Sequence, residues 1–236
     1  MLYSRGFYGF DPTMIILLPA IILTIYAQSK VKSNFAKYLR KSTQKSYTGV
    51  QVARTLLDQH GLHHIPIEVS KRHLSDHYDP TNGVLRLSPE VYQGNSIASV
   101  SVAAHEVGHA IQHANGYIPL SLRNMIFPLA SFGSSTAWVF IAVGLMIPSL
   151  GGLMDIGIWI FGAAVAFQII TLPVEFNASS RALQLLDSNG FIVEDEIKGA
   201  KKVLNAAALT YVAAMASGIA QLLRLILIRN RNSREK

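Results

Sequence analysis

The residues with the clearest chemical signature are His105, Glu106 and His109, which stand in the string His-Glu-Val-Gly-His. In an α-helix, two histidines four positions apart lie one turn apart and about 40° around the axis, so both imidazoles can reach one ion. A catalytic zinc ion takes three protein ligands and keeps water in the fourth position, and an adjacent carboxylate can accept that water's proton. The spacing therefore predicts a metal-dependent hydrolase with Glu106 as its general base.

The third ligand must come from outside this helix. His113 follows four residues later, but about 12 Å along the axis from His105 and about 80° around it, so one ion cannot easily bind all three. We interpret His113 as supporting the site without binding the ion, or as structural. A third histidine six residues after His109 is excluded, because that position is Asn115. The carboxylates beyond the helix are Asp155, Glu175, Asp187, Glu194, Asp195, Glu196 and Glu235.

Long apolar runs show how such a carboxylate can be brought close. Of the 236 residues, 50% are hydrophobic and only 15% are charged, against about 25% in soluble domains, and the mean hydropathy is +0.30. Residues 125–147 contain no charged side chain, and residues 153–173 contain only Asp155, so both runs are long enough to cross a bilayer as helices. The short connection 148–152 predicts a helical hairpin, which returns the chain to the face that it left.

Glu175 is the carboxylate that this hairpin favours. It directly follows the second apolar run and opens a helix-like stripe of Val174, Ala178, Ala182 and Leu185. Since the hairpin returns the chain to its starting face, Glu175 is expected at the same membrane surface as His105 and His109. We predict that these three residues are the metal ligands.

Two further apolar runs complete a prediction of about four membrane spans. Residues 13–27 are marginal in length, but no small-x-small cleavage site follows, which favours an uncleaved anchor over a signal peptide. Residues 204–228 are interrupted only by Arg224. The predicted organisation is a membrane anchor over 1–28, a zincin-like domain over 29–124, a transmembrane hairpin over 125–173, a helix with the third ligand over 174–203, and a C-terminal transmembrane helix with a basic tail over 204–236.

The segment 29–124 has the composition of a small soluble domain. It predicts a helix over 48–61, strands over 65–70 and 84–87, and the motif helix from Asn95 or Ser96 to about Ala114. The strand 84–87 is expected either at a sheet edge, where an extended peptide can pair, or inside the sheet. Residues 31–39 predict an amphipathic helix that lies on lipid or packs on the domain. The fold class is mainly α, a polytopic helical membrane protein with a small zincin-like domain carrying a short β-sheet.

Charge and composition limit the partners and the location. The absence of cysteine excludes disulfides, thiolate metal sites and a cysteine nucleophile. The net charge is +7, but basic residues do not alternate with aromatic ones, so nucleic acid is rejected as a partner. Basic residues near the membrane number eleven on the predicted motif side and five on the other, which favours a cytosolic site. On the motif side they are Lys30, Lys32, Lys37, Arg40, Lys41, Lys45, Arg123, Arg181, Lys198, Lys201 and Lys202. On the other side they are Arg5, Arg229, Arg231, Arg234 and Lys236.

Three strings of the sequence carry a resemblance to a known family. HEVGHAIQH, GYIPLSLR and LPVEFNASSRAL closely resemble the neutral zinc metallopeptidases of bacterial membranes, the YugP-like family, most clearly from Asp76 to Leu186. The pattern His-Glu-x-x-His with a distant Glu175 also resembles a gluzincin. The resemblance implies one zinc ion per chain, a bacterial inner membrane and a polypeptide substrate. Residue by residue, it makes His105, His109 and Glu175 the ligands and Glu106 the base; it leaves the oligomeric state open.

One departure from the wider gluzincin pattern concerns the partner of an imidazole. The position four residues after the ligand glutamate is often aspartate, but here it is Ser179. Asn177 or Ser179 can instead hold a ligand histidine, which usually donates its other N–H to an acceptor. Arg181 is expected either to stabilise the oxyanion of a tetrahedral intermediate or to form an ordinary salt bridge.

The remaining histidines are expected to have surface, loop or capping roles. His73 and His77 are four residues apart, but Asp76, Asp79 and Pro80 indicate a turn, which disfavours a second metal site. His60, His63 and His64 flank Gly61 at a predicted helix end, where surface or capping roles are favoured.

Two other functional classes compete with a hydrolase. A membrane scaffold or partner-binding protein would have a structural or degenerate zinc site with four protein ligands. An ion transporter would use intramembrane polar residues such as Asp155 and Arg224, but the predicted spans contain few charges.

Overall fold

The structure is a computed structural model and describes residues 11–234, apart from the side chains of Ser134, Pro148, Ser233 and Arg234. The start of the predicted anchor with Arg5, and the chain end with Glu235 and Lys236, lie outside the described residues. The helices are α1 (Leu18–Leu39), α2 (Gly49–Gln59), α3 (Pro89–Tyr92), α4 (Ile97–Ala114), α5 (Ile118–Met146), α6 (Gly152–Ser188) and α7 (Glu194–Arg234). The strands are β1 (Ile67–Val69), β2 (His77–Asp79) and β3 (Val84–Leu87). The predicted fold class, mainly α with a short sheet, is confirmed.

Three of these helical segments are long and apolar enough to cross a membrane: Pro12–Leu39, Gly152–Ser188 and Glu194–Asn232. A fourth candidate consists of Ile118–Gly133 and Ser135–Met146, which are bent by 41° with respect to each other. Between α5 and α6 the chain makes only the short 3₁₀ turn Pro148–Leu150, at the predicted hairpin connection.

The apolar runs and the segments after them form single helices, which the sequence did not predict. The amphipathic stretch 31–39 is the second half of α1. Glu175 does not open a new helix, because α6 passes through Pro173 and continues to Ser188. A break in a helix within lipid leaves backbone N–H and C=O groups without hydrogen-bond partners. A helix can therefore continue past the last apolar residue and end outside the membrane.

The described residues form two compact units. The first comprises residues 11–25, 127–168 and 213–234, and the second comprises residues 26–126 and 169–212. In the first unit, Asp155 is paired with Arg229 and Asp11 with Arg224. Both polar residues that a transport path would use are thus engaged in ion pairs. Every residue of the predicted metal site belongs to the second unit.

Helix α4 is the centre of the second unit's core. Ser96 caps its N-terminus by accepting a hydrogen bond from the backbone N–H of Ser99 (3.0 Å), as the sequence predicted. Small apolar residues such as Val100, Ala103 and Val107 are fully buried along it. Helix α2, whose capping box joins Thr48 and Gln51, packs against α4. The motif helix therefore has a fixed position.

The sheet has the order β1-β3-β2. Strand β3 pairs with β1 in parallel and with β2 in antiparallel orientation, so the interpretation of residues 84–87 as an edge strand is wrong, and the internal alternative is right. Strand β2 was missed and treated as part of a turn, because three residues are too few to show an alternating pattern. The turn follows it instead, where Asp79 accepts hydrogen bonds from the backbone N–H groups of Thr81 and Asn82.

Candidate metal centre

His105 and His109 project from α4 onto the same side, as their spacing requires. Their Nε2 atoms are 3.2 Å apart, and the two rings are nearly perpendicular with centroids 4.7 Å apart. The side chains are 13% and 11% exposed, so the pair lies in a largely dehydrated environment that is still open on one side.

Glu175 reaches this pair from α6. Its Oε2 atom is 3.3 Å from Nε2 of His105 and 3.7 Å from Nε2 of His109, and its side chain is only 3% exposed. The helices approach closely because Gly108 faces Ala178: a Cβ atom at Gly108 would lie 3.0 Å from the carbonyl oxygen of Ala178. The absence of a side chain between the two histidines thus lets α6 place its carboxylate at them.

The separations of the three candidate ligand atoms are close to those of a tetrahedral metal site. Bonds of about 2.0–2.1 Å to a tetrahedral ion place two ligand atoms about 3.3–3.4 Å apart. The observed separations are 3.2, 3.3 and 3.7 Å. Within residues 11–234, His105, His109 and Glu175 are the group of three such side chains that is close enough to hold a metal ion. The donor set fits zinc, which binds imidazole nitrogen and carboxylate oxygen.

The second ring nitrogen of each histidine also has a partner. Nδ1 of His109 is 3.0 Å from Oε1 of Gln112, and Nδ1 of His105 is 3.3 Å from the hydroxyl of Ser179. Asn177 does not contact either ring; its Oδ1 accepts hydrogen bonds from Gln112 and from Nε of Arg181, both at 2.9 Å. Ser179 therefore contacts a histidine directly. Asn177 and Arg181 are linked to His109 only by hydrogen bonds that pass through Gln112.

Glu106 lies beside the ligand group and is 8% exposed. Its Oε2 accepts a hydrogen bond from the backbone N–H of Tyr78 on β2, at 3.0 Å. His113 lies outside the ligand group, as its place on the helix predicts, and its Nδ1 is 2.9 Å from the hydroxyl of the same tyrosine. Tyr78 on β2 thus holds the carboxylate of Glu106 with its backbone N–H and His113 with its hydroxyl.

Charged groups near the site determine its electrostatics. Nη1 of Arg123 is 4.0 Å from Oε1 of Glu175, whereas Oε2 is the oxygen next to the histidines. Burial alone would lower the pKa of His109, but the Glu175 carboxylate and the charge of Glu106 outweigh burial and raise it. In the absence of a metal, a proton therefore competes for this imidazole, as is usual at metal sites.

A cavity of about 160 Å³ opens beside these residues. His105, Glu106 and Glu175 line it together with Asp76 and Tyr211, whose hydroxyl interacts with Glu175. Apolar side chains form the rest of the wall: Val31, Phe35, Leu74, Val102, Val203, Leu204 and Ala207. The space next to the ligand atoms is thus bounded mainly by hydrocarbon, which favours apolar groups in it.

Sequence reasoning missed four residues of this site: Tyr78, Gln112, Arg123 and Tyr211. Gln112 had a usable signal, because it lies three positions after His109 and hence on the same helix face. The other three had none, since they lie in a short strand or within apolar helices that only tertiary packing brings to the site.

The remaining candidates are engaged elsewhere. His60 caps α2 through the carbonyl of Leu56, and His63 and His73 lie at Asp58 and Glu90. Glu196 accepts hydrogen bonds from the backbone N–H groups of Val193 and Gln44 at the start of α7. These contacts agree with the capping and surface roles expected from the sequence.

Comparisons with known proteins place the chain in a zinc metallopeptidase family. A family described as "Putative neutral zinc metallopeptidase" matches residues 13–230. The "Putative membrane protease YugP" of Bacillus subtilis (strain 168) is 51% identical over 211 residues, which are 89% of this chain and 93% of that protein. No solved structure matches the chain. Zinc is the metal that this family implies, and the His-His-Glu group can hold one ion.

Proposed function

Because this chain belongs to the neutral zinc metallopeptidase family and is an integral membrane protein, we propose that it is a gluzincin-like zinc endopeptidase with His105, His109 and Glu175 as ligands. Glu106 is its general base. The single observation that carries the proposal is the set of separations among the three ligand atoms, 3.2 to 3.7 Å, between residues from two different helices.

The number of protein ligands supports a catalytic rather than a structural centre. Zinc held by three protein ligands keeps a fourth position for water and lowers the pKa of that water to about 7. Structural zinc sites usually have four protein ligands. Among the described residues the group has three members, and His113, the nearest further histidine in sequence, is engaged with Tyr78. This arrangement disfavours the scaffold with a structural or degenerate site.

Glu106 is placed to accept and return a proton. The backbone N–H of Tyr78 holds Oε2, so the carboxylate has a defined orientation, and we assign proton transfer to Oε1. The same carboxylate lines the cavity beside the ligand group, where a scissile carbonyl would enter. A base that is held at one oxygen can take a proton from the attacking water and deliver it to the leaving amine without a rotamer change.

The substrate is a polypeptide, and the lipid bilayer is the second partner. The Bacillus subtilis relative is likewise named a membrane protease. We further place the protein in the bacterial inner membrane with its site on the cytosolic face. This placement is supported by eleven basic residues near the membrane on the motif side against five on the other, since cytosolic loops are enriched in lysine and arginine.

The decisive experiment compares the wild type with Glu106→Gln in detergent. Bound zinc and cleavage of an unfolded protein substrate are measured for both, with Asp187→Asn as the control because Asp187 is an exposed carboxylate on α6. We expect zinc to be retained in all three proteins, and cleavage to fall about 100-fold or more in Glu106→Gln alone. Retained zinc with equal cleavage in the wild type and Glu106→Gln would remove the peptidase proposal.

A further inference from the structure

Gln112 is a fully buried residue of α4 that uses both ends of its side-chain amide. Its Oε1 atom is 3.0 Å from Nδ1 of His109. Its Nε2 atom donates to the carbonyl oxygen of Val174 and to Oδ1 of Asn177, both at 2.9 Å. Val174 and Asn177 flank Glu175 on α6, so one amide joins a histidine of the ligand group to the segment that carries the carboxylate.

The direction of this amide is fixed by its neighbours. The carbonyl of Val174 can only accept, and the guanidinium of Arg181 can only donate, which it does from Nε to Oδ1 of Asn177 at 2.9 Å. Asn177 must therefore present oxygen to Gln112, and Gln112 must present its NH₂ group to both acceptors. A flipped amide would place Oε1 against two oxygen atoms, so Oε1 faces His109.

This polarity determines which nitrogen of His109 carries the proton. Facing an oxygen that only accepts, Nδ1 must be the donor, which leaves the lone pair of Nε2 directed at His105 and Glu175. A metal ligand needs that lone pair. His105 lacks such a constraint, because the hydroxyl of Ser179 near its Nδ1 can either donate or accept.

We propose that Gln112 is a positioning residue that fixes the ring orientation and the metal-binding nitrogen of His109, and that Asn177 and Arg181 fix the direction of the Gln112 amide. The inference rests on the proposed function, since it concerns the same metal centre. It also gives Arg181 a role different from either alternative that the sequence suggested: it acts on the metal site through two side chains.

The test measures zinc affinity rather than peptidase activity. Gln112→Met keeps an unbranched side chain of similar size but removes the acceptor and both donors. Zinc dissociation constants are measured by competition with a chromophoric chelator for the wild type, Gln112→Met, Ser179→Ala and Gln93→Met, a matched control at an exposed glutamine. The visible spectrum of the cobalt-loaded proteins reports ligand geometry, and thermal unfolding of the metal-free proteins reports folding.

We expect Gln112→Met to bind zinc about 10 to 100-fold more weakly and to change the cobalt spectrum, Ser179→Ala to show a smaller loss, and Gln93→Met to match the wild type. Equal zinc affinity and spectrum in Gln112→Met, in a wild type that binds one zinc ion, would overturn the positioning role alone. Failure of the wild type to bind zinc would overturn the proposed function as well.

If Gln112→Met does not fold, a second variant tests the role of Gln112. Gln112→Glu keeps an acceptor oxygen opposite Nδ1 of His109 but places its other oxygen against the oxygen atoms of Val174 and Asn177, so we expect a folded protein that binds zinc more weakly than the wild type and has a changed cobalt spectrum. Wild-type zinc affinity and an unchanged cobalt spectrum in a folded Gln112→Glu protein would show that the donor end of the amide does not orient His109, and would overturn the proposal.

Discussion

The Oε2 atom of Glu175 lies 3.3 Å from the Nε2 atom of His105, although seventy positions separate the two residues in the sequence. The contact between Gly108 and Ala178 explains this proximity. Gly108 lies between the two histidines, and Ala178 lies three residues after the carboxylate, so α4 and α6 approach each other closely beside these three side chains. The proposed metal centre therefore depends on this helix–helix contact.

Loss of the Glu175 carboxylate should weaken zinc binding. In Glu175→Ala two imidazoles remain, and we expect the zinc affinity to fall about 10-fold or more, measured by chelator competition. Asp187→Ala removes an exposed carboxylate from the same helix and should leave the affinity at the wild-type value. Unchanged affinity in Glu175→Ala would mean that a different carboxylate completes the group.

A side chain at Gly108 should separate α4 from α6. A valine there would meet the backbone of Ala178, and we expect Gly108→Val to lower the free energy of unfolding by about 1–3 kcal/mol and to weaken zinc binding. Thermal unfolding in detergent and chelator competition measure the two effects. Gly162→Ala is the matched control, since a Cβ atom at Gly162 meets nothing within 4 Å, and alanine there should be neutral or stabilising by about 0.5–1 kcal/mol. Equal behaviour of both variants would contradict the packing explanation.

Asp79 should make the fold sensitive to acid. Hydrogen bonds from Asn82, together with those from Arg86 and Thr81, hold the pKa of Asp79 well below its usual range. A carboxyl whose pKa is lower in the folded state contributes stability that is complete above its unfolded pKa of about 3.9 and is lost as the pH falls below it. We therefore expect Asp79→Asn to be less stable than the wild type by about 1–2 kcal/mol at pH 7, with the difference shrinking below about pH 4.

Thermal unfolding as a function of pH measures this difference. Thr81→Ala is the control, because Thr81 contributes only its backbone N–H to Asp79 and the variant keeps that group. It should retain the wild-type acid response. A constant difference between Asp79→Asn and the wild type at all pH values would show that the charge of Asp79 does not stabilise the turn after β2.

The side of the membrane can be tested with single cysteines, since the chain has none of its own. Gln59→Cys lies at the exposed end of α2, and Ser149→Cys lies at the exposed turn between α5 and α6. With a membrane-impermeant maleimide on bacterial spheroplasts, we expect Ser149→Cys to react directly and Gln59→Cys to react only after lysis. The reverse pattern would place the metal site outside the cytosol.

Local pattern was sufficient for several elements. The sequence predicted the N-cap of α4 at Asn95 or Ser96 and the end of the helix at about Ala114, and it predicted β3 over the four residues before Ser88-Pro89; both elements have these bounds. Strand β2 was missed because its three residues are stabilised by pairing with β3 and by contact with α4, and neither partner is visible in a short window of sequence.

The candidate site also contains residues that local sequence pattern placed and residues that only the tertiary structure placed. Helical periodicity alone places His105, Glu106 and His109 on neighbouring faces of one turn, because it depends only on residues within four positions. The apolar runs also determine that the chain enters a membrane and returns, which made Glu175 the favoured carboxylate. Gln112, Tyr78 and Arg123 acquire their neighbours only in the folded chain. Their hydrogen bonds and charges act over about 3–4 Å, and only the packing of α4, α5, α6 and β2 brings such distant positions that close.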